Sequence, residues 1–319
     1  MDKYIIGIDL GGMSAKGAVF TQKGELLYCD KMKTNKTDGF DGTVELLASL
    51  CKSLAKNANI NFDDVEAIGV GAPGVVDSNA GVVLRWSNFD WQDAPLAKRL
   101  SGLTGKQVFV ANDANTAALG EAKFGATAQY QSSVLLTIGT GVGGGIVLDG
   151  HIWDGFNGAG AEIGHIVIVP GGRLCSCGNR GCFEAYCSAT ALINDTKEAM
   201  INNPDSLLWK ICGRTDNVDG KSAYVAAEQG DTAAKIVIDR FIKYFSIGIA
   251  NIVTLLQPEV VGIGGGMSAQ GETLIAPIDR LVSQSGVIKS LEKRPKIVAA
   301  GLLNDAGIVG AAADIKGEM

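Results

Sequence analysis

Residues 158–188 read GAGAEIGHIVIVPGGRLCSCGNRGCFEAYCS, and this stretch holds one of the chain's two histidines and four of its seven cysteines. His165 is followed by Cys175, Cys177 and Cys182 in the spacing H-x9-C-x-C-x4-C. Glycines between these residues allow the segment to fold back on itself. Zinc prefers four tetrahedral ligands, and a Cys3His set is typical of structural sites because no position stays open for an activated water. The spacing therefore predicts a structural zinc ion held by these four side chains.

Two other interpretations of the cysteines are weaker. Free cysteine is often buried, but three cysteines within residues 175–182 of a glycine-rich segment do not form the periodic stripe of a core element. A disulfide framework needs an oxidising compartment, and the sequence start has no secretory pattern. The other cysteines occur singly, which predicts small core residues at Cys29, Cys51, Cys187 and Cys212.

The composition is that of a soluble globular protein. At 319 residues, with 46% hydrophobic and 19% charged side chains, the chain is long enough for two domains. A formal charge of −6 and the lack of Lys and Arg runs argue against a nucleic-acid surface. The longest apolar stretch, residues 244–256, is shorter than the roughly 18 residues that suggest a membrane span. We expect a cytoplasmic protein that binds small molecules, and neither nucleic acid nor a membrane.

One strand pattern occurs twice along the chain. Predicted strands at 4–9, 15–20 and 26–30 are joined by a glycine turn and a tight turn, and strands at 133–138, 146–148 and 151–153 repeat this order. Helical periodicity predicts the helices, at 43–55, 94–103, 114–124, 189–201, 232–256, 272–284 and 306–315. We expect two related α/β domains with a cleft between them. The predicted division is 1–112, closed by a C-terminal helix at 303–319, and 113–302, which contains the zinc motif.

Two glycine-rich turns offer backbone N–H groups and hydroxyls to a polyphosphate. They are DLGGMS at 9–14 and TIGTGVGG at 137–144. The second contains G-x-G-x-x-G, but a predicted strand follows it where a dinucleotide site needs a helix, and no G-x4-G-K-[ST] occurs. Each turn alone is equally compatible with a plain hairpin. Their repetition favours a nucleotide held between them.

Six segments together closely resemble the ROK family of bacterial sugar kinases and repressors. They are GIDLGG (7–12), VANDANTAALGE (110–121), LLTIGTGVGGGIV (135–147), GAEIGH (160–165), the C-x-C-G-x-x-G-C-x-E pattern of 175–184, and IGGGMS (263–268). The resemblance spans the whole chain. It implies the actin-like ATPase fold, with two ribonuclease H-like domains around a cleft, and phosphorylation of a hexose or amino sugar by ATP with Mg²⁺.

Within this family the resemblance is strongest to glucokinases, which phosphorylate the 6-hydroxyl of glucose at the entry to glycolysis. Kinases for N-acetylmannosamine, fructose, allose or a β-glucoside share much of the pattern and stay open as alternatives. A homodimer or higher homo-oligomer is also implied.

Two rivals rank lower. A sugar-responsive repressor of this family carries a winged-helix domain before the kinase-like body, whereas here the first strand starts at Tyr4. An actin-like or chaperone-like ATPase has no use for the zinc motif.

The resemblance also implies roles for single residues. Asp113 corresponds to the catalytic base, and the sugar-binding positions are Asn112, Asp113, Glu162, His165 and Glu184. His165 is shared with the zinc site, because one imidazole nitrogen can bind metal while the other meets a sugar hydroxyl. On the nucleotide side, Asp9 corresponds to the residue that holds magnesium through water. The phosphate-binding positions are Gly11, Gly12, Ser14, Thr137, Thr140, Gly141 and Gly143. Gly265 and Gly266 correspond to the adenosine-side turn.

Three positions carry a reservation. Met13 stands where the family usually has threonine, so Ser14 supplies a hydroxyl or one phosphate contact is lost. Asp113 also sits where a helix N-cap is expected, and that structural role is the alternative to catalysis. His151, the second histidine, lies in a predicted hairpin and matches no site, so we interpret it as structural.

Overall fold

The structure is a computed structural model that describes residues 3–317. Within this part of the chain the strands are β1 (Tyr4–Leu10), β2 (Ser14–Thr21), β3 (Leu26–Lys33), β4 (Val65–Ala72), β5 (Val75–Asp77), β6 (Val82–Trp86), β7 (Trp91–Ala94), β8 (Gln107–Asn112), β9 (Ser133–Ile138), β10 (Val142–Leu148), β11 (His151–Ile152), β12 (Val260–Gly264) and β13 (Lys296–Ala299). The α-helices are α1 (Gly39–Asn57), α2 (Leu96–Thr104), α3 (Asp113–Phe124), α4 (Glu184–Cys187), α5 (Ala189–Asn202), α6 (Leu207–Cys212), α7 (Ser222–Glu228), α8 (Thr232–Leu256), α9 (Glu272–Ser283) and α10 (Ala306–Gly317). Short elements β5, β7, α4, α6 and α7 were not predicted.

The first sheet has the strand order β3-β2-β1-β4-β8. Strands β1, β2 and β3 are antiparallel neighbours, whereas β4 and β8 run parallel to β1. The carboxyl ends of parallel strands meet at one edge of a sheet. Asp9 pairs with Gly71, and Ala72 pairs with Asn112, so the first glycine turn and the Asn112–Asp113 pair begin at the same edge.

The second sheet repeats this arrangement. Its order is β11-β10-β9-β12-β13, again with an antiparallel hairpin on one side and parallel strands on the other. The predicted repeat of the strand pattern is thereby confirmed. The largest boundary error in this sheet concerns β10, which begins at Val142 and not near Ile146, so Gly143 lies within the strand. Glycines alone do not end a strand when the backbone can still pair.

The described residues form two compact units. One contains residues 3–135, 145–161 and 301–317, and the other contains 136–144 and 162–300. The predicted division after Asn112 stays a prediction about domains. Residues 113–135 belong to the first of these two units because helix α3 packs against α10.

In the first unit, helices cover both faces of the sheet. Strand β1 sends Ile6 and Ile8 into a core with α1, while Ile5 packs with Ile308 of α10 on the opposite face. A side chain at Gly7 would overlap the Ile308 carbonyl, so α10 lies directly against β1. This packing brings the start of α10 close to Asp9.

In the second unit, the long helix α8 forms the centre and packs against α5, α7 and α9. Phe183 is fully buried, and its ring lies 5.4 Å from that of Phe245 in an edge-on arrangement. A Cβ atom on Gly248 would lie 2.5 Å from the Phe183 ring, so α8 gives this ring its space. Phe183 thereby anchors the end of the cysteine-rich segment on α8.

Cysteine burial agrees only partly with the prediction. Cys51, Cys187 and Cys212 are buried core residues, but Cys29 is exposed, which corrects its predicted place in the core. Cys29 lies on the edge strand β3, whose side chains alternate between half-buried and exposed positions. Among the described residues, no helix is both long and apolar enough to cross a bilayer.

Candidate functional site

The first glycine turn, residues 11–13, joins β1 to β2. Gly11 donates its N–H to the Ser14 carbonyl at 2.9 Å. Thr34, a buried residue just after β3, donates its N–H to the Met13 carbonyl at 3.1 Å and its hydroxyl to the Gly11 carbonyl at 2.9 Å. Thr34 therefore fixes the turn from outside, and nothing in the local sequence pointed to it. The Met13 side chain is 84% exposed and contributes nothing to this network.

The second glycine turn, residues 139–141, occupies the equivalent place between β9 and β10. Gly139 donates its N–H to the Gly141 carbonyl at 3.0 Å. The start of α5 holds the outer side, because Ala189 donates its N–H to the Gly139 carbonyl at 2.9 Å and the Thr190 hydroxyl donates to the Thr140 carbonyl at 2.8 Å. Thr190 was not identified from the sequence.

Gly265 and Gly266 follow strand β12. A side chain on Gly265 would overlap the backbone of Ile138 at the end of β9, and its φ of 78° favours glycine. The Ser268 hydroxyl donates to the Gly265 carbonyl at 2.7 Å. The predicted adenosine-side turn therefore lies beside the end of the strand that leads into the second glycine turn.

Asp9 lies in an environment that disfavours its charge. Burial, followed by the charge of Asp113, raises the pKa of Asp9 from 3.8 to about 6, while Lys16 opposes the shift. Lys16 is the cross-strand partner of Asp9 and forms an ion pair with Asp305. A divalent cation beside Asp9 would favour the ionised form of its carboxylate, so the Asp9 carboxylate fits the predicted magnesium position.

Asn112 is the N-cap of α3, which corrects the expectation that Asp113 caps this helix. The Asn112 side-chain oxygen accepts the N–H groups of Ala114 at 2.9 Å and Asn115 at 3.1 Å. Its Nδ2 donates to the Gly74 carbonyl at 2.9 Å and still has a second N–H. Asp113 is the first helical residue, and its Oδ1 accepts the N–H of Ala114 at 2.8 Å. Because Asn112 is the N-cap, the helix does not need the Asp113 carboxylate for that role.

The four predicted metal ligands come together. One ligand atom from each of His165, Cys175, Cys177 and Cys182 lies within 4.8 Å of the others. Nδ1 of His165 is 3.6 Å from the Cys175 sulfur, and the Cys177 and Cys182 sulfurs are 3.7 Å apart. A tetrahedral zinc with bonds of about 2.0 Å to nitrogen and 2.3 Å to sulfur would separate its ligands by about 3.5–3.8 Å. The donor set and its spacing fit zinc.

Local backbone geometry builds this cluster. Cys175 donates its N–H to the Asn179 carbonyl at 2.8 Å, which closes a tight turn between the ligands. Gly178 and Gly181 have φ of 89° and 87°, where a side chain would be strained. Burial raises the pKa of the Cys182 thiol to about 12, and the backbone N–H of Asn179 lowers the pKa of Cys177. Zinc binding would therefore have to displace a proton from Cys182.

The predicted sugar-binding side chains Glu162, His165 and Glu184 lie around the cluster. His165 directs Nδ1 towards Cys175, and its Nε2 is 3.9 Å from Glu162 Oε2. Glu184 Oε1 accepts the Ser176 hydroxyl at 2.9 Å, and Oε2 accepts the Val142 N–H at 3.0 Å. The structure thus gathers these residues in the second unit and Asp9, Asn112 and Asp113 in the first.

An ion-pair network that the sequence did not reveal supports the cysteine-rich loop at 173–182, the candidate metal-binding loop. Arg173 Nη2 lies 2.6 Å from one oxygen of the buried Asp195 carboxylate, and Arg240 Nη2 lies 3.2 Å from the other. The guanidinium of Arg173 stacks over the Tyr186 ring at 4.8 Å, and its backbone N–H donates to the Tyr186 hydroxyl at 2.7 Å. These contacts attach the loop to α5 and α8.

Comparison with known proteins gives one consistent family. The model of the ROK family matches residues 5–318. The chain is 37% identical to the glucokinase of Thermotoga maritima, over 98% of this chain and 97% of that protein. It is 28% identical to the xylose repressor of Caldicellulosiruptor bescii, over 99% of this chain and 78% of the repressor.

A solved structure gives the same result. It is a ROK family glucokinase from Streptomyces griseus in complex with glucose and AMPPNP, with a TM-score of 0.82 and 34% identity over 97% of this chain and 98% of that one. The predicted actin-like ATPase fold is confirmed by this likeness. On the family model and these relatives together, the chain belongs to the ROK family.

Proposed function

We propose that this protein is a glucokinase, which transfers the γ-phosphoryl group of ATP to the 6-hydroxyl of glucose. The observation that carries the proposal is the likeness, over nearly the whole chain, to glucokinases from two bacteria, one of them solved with glucose and an ATP analogue. The repeated glycine turns and the Asp9–Asp113 pair are the parts that phosphoryl transfer needs. A kinase for another hexose or amino sugar is the alternative.

Asp113 acts as the general base in this proposal. Phosphoryl transfer depends on positioning and on charge stabilisation, with a carboxylate that orients the attacking hydroxyl and accepts its proton. Asp113 suits this role because Asn112 caps the helix and the Thr116 hydroxyl holds the Asp113 carbonyl at 2.8 Å. Both contacts fix the backbone from which the carboxylate extends.

The glycine turns bind the nucleotide phosphates through backbone N–H groups. Gly11, Gly12 and Ser14 line the first turn, and the positions proposed at the second are Thr137, Thr140, Gly141 and Gly143. Gly265 and Gly266 accommodate the adenosine. Magnesium, when bound near Asp9, would neutralise charge that develops on the phosphates. Asp9 and Lys16 then set the local charge at the first turn.

The Cys3His cluster binds zinc with a structural role in this proposal. His165 gives Nδ1 to the metal, so that Nε2 is available to a sugar hydroxyl beside Glu162. Asn112 has a second Nδ2 N–H, and the carboxylate of Glu184 keeps unused acceptor positions. In this proposal each of these groups offers a donor or an acceptor to a hydroxyl of a pyranose.

A cytoplasmic location, a role at the entry to glycolysis and a homodimer or higher homo-oligomer are further parts of the proposal. Light scattering coupled to size-exclusion chromatography tests the oligomer. A mass of one chain, 33.1 kDa, would contradict it.

Glucose analogues test the proposed reaction. With MgATP, glucose should release ADP and give a product whose phosphorus signal couples to the protons on carbon 6. 6-Deoxyglucose, which lacks the acceptor hydroxyl, should release no ADP but should inhibit competitively against glucose. ADP release with 6-deoxyglucose at a rate near that with glucose would refute transfer to the 6-hydroxyl.

A further inference from the structure

Glu184 lies between the metal-binding loop and the second glycine turn. Its Oε1 accepts the hydroxyl of Ser176, which stands between Cys175 and Cys177, at 2.9 Å. Its Oε2 accepts the N–H of Val142, the first residue after the turn, at 3.0 Å. One carboxylate thus joins the segment around Ser176 to the second glycine turn, although Val142 lies 42 positions before Glu184 in the chain.

The chain makes room for this carboxylate. A side chain on Gly141 would overlap Glu184 Oε2, so the approach of Glu184 to the turn requires glycine at position 141. Hydrogen bonds to an ionised carboxylate are about twice as strong as those between neutral groups. The link is therefore strong enough to influence the conformation of a short glycine turn.

Glu184 restrains a different part of the turn from its other neighbours. Ala189 and Thr190 hold the carbonyl oxygens of Gly139 and Thr140. Glu184 instead holds an N–H group where the turn enters β10. The carbonyls and this N–H together set the directions of the peptide planes between them, and those planes carry the N–H groups offered to phosphate.

We propose that Ser176 is a positioning residue that couples the metal-binding loop to the nucleotide side of the site through Glu184. Folding of the loop around the metal orients the Ser176 hydroxyl, the hydroxyl holds Glu184, and Glu184 holds the second glycine turn. The inference rests on the proposed function, which assigns this turn to the nucleotide phosphates. Its consequence is that loss of the Ser176 hydroxyl weakens nucleotide binding more than sugar binding.

Calorimetric titration with AMPPNP and Mg²⁺ tests the coupling, with all proteins kept in excess Zn²⁺. Ser176→Ala should keep the metal content and melting temperature of the wild type, because Ser176 is exposed. Its Kd for AMPPNP should rise about five- to tenfold, which is less than the more than tenfold change expected when a hydrogen bond to a charged group is lost directly, because Ser176 acts through Glu184. Ser176→Thr, which keeps the hydroxyl, should restore the wild-type value. The control Ser49→Ala removes a hydroxyl that donates to Glu45 in helix α1, and it should change nothing.

The steady-state constants give the second readout. In Ser176→Ala, KM for ATP should rise several-fold more than KM for glucose. An unchanged Kd for AMPPNP in Ser176→Ala, or a change confined to glucose, would overturn the coupling. The titration needs no sugar turnover. A wild-type protein that binds AMPPNP but phosphorylates no sugar would therefore refute the proposed kinase, and the Kd values of the variants would still decide the coupling. A wild type that does not bind AMPPNP would overturn both.

Discussion

Nδ1 of His165 lies 3.6 Å from the sulfur of Cys175, while Nε2 on the other side of the ring faces Glu162. One imidazole therefore contacts both the thiol cluster and a candidate sugar acceptor. A metal bound at Nδ1 would fix the ring plane and with it the direction of Nε2. If His165 binds sugar as proposed, the integrity of the cluster is a condition for sugar binding.

Removal of one metal ligand tests this dependence. Cys177→Ser should lose most of the roughly one zinc per chain expected for a four-ligand site, and it should bind glucose more weakly. Its melting temperature should fall by about 5 °C or more, because metal binding stabilises only the folded loop. Elemental analysis, glucose titration and thermal melting measure the three effects. The matched control is Cys29→Ser, which changes another exposed cysteine outside the cluster and should keep the metal. Fully active wild-type protein without zinc would refute the structural role.

Neutralisation of Asp113 tests its proposed role as a base. Asp113→Asn should bind glucose within a few-fold of the wild type but lower kcat by on the order of 10² or more, because the amide does not accept the hydroxyl proton. Glucose titration and initial-rate kinetics separate the two effects. Asp38→Asn, a change of an exposed carboxylate at the start of α1, serves as the control and should have normal kcat. Near-normal turnover of Asp113→Asn would show that Asp113 is structural.

Met13 provides a gain-of-function prediction. Its side chain is 84% exposed, and its carbonyl is already held by Thr34, so a threonine at this position would fit without disturbing the turn. Met13→Thr should lower KM for ATP by about two- to tenfold through one added hydrogen bond. Met13→Ala removes the side chain without adding a hydroxyl and should leave KM unchanged. Equal values for both variants would indicate that Ser14 already supplies the contact.

The raised pKa of Asp9 predicts a pH-dependent difference in stability. Between the unfolded value of 3.8 and the native value of about 6, the native state retains a proton that the unfolded state releases. The contribution of Asp9 to stability therefore falls as pH rises through this window and stays low above it. Asparagine does not titrate, so Asp9→Asn avoids this loss of stability. Without metal and nucleotide, the variant should be more stable than the wild type by about 2–3 kcal/mol at pH 7.5, and by much less at pH 4. Urea unfolding at several pH values measures this difference, and a constant difference across the range would contradict it.

The sequence predicted best those features whose signal is local and strong. The strand at 133–138 and the helix at 232–256 were predicted with the bounds that the structure gives, because their apolar patterns are long or uninterrupted. The Cys3His cluster was predicted as a set because a four-ligand site needs definite residue types at close spacing. Both signals are carried by neighbouring residues.

Features that depend on distant contacts were missed or misjudged. Thr34 reaches Gly11 across 23 positions, and Arg173 reaches Asp195 across 22, so no short window of sequence shows either contact. The N-cap of α3 was assigned to Asp113, whereas Asn112 provides it. Asn and Asp are comparably good caps, and local propensity alone does not choose between adjacent ones.

A comparison of sugars tests the central claim most directly. Initial rates of ADP release, measured by a coupled assay with MgATP, should be compared for glucose, mannose, fructose, allose, N-acetylglucosamine, N-acetylmannosamine and cellobiose. A site that hydrogen-bonds each hydroxyl rejects analogues that leave a buried polar group unpaired, so glucose should give the highest kcat/KM by a wide margin. A clear preference for an N-acetyl sugar or for cellobiose would contradict the glucokinase and retain the kinase, and ADP release with none of the sugars would contradict both.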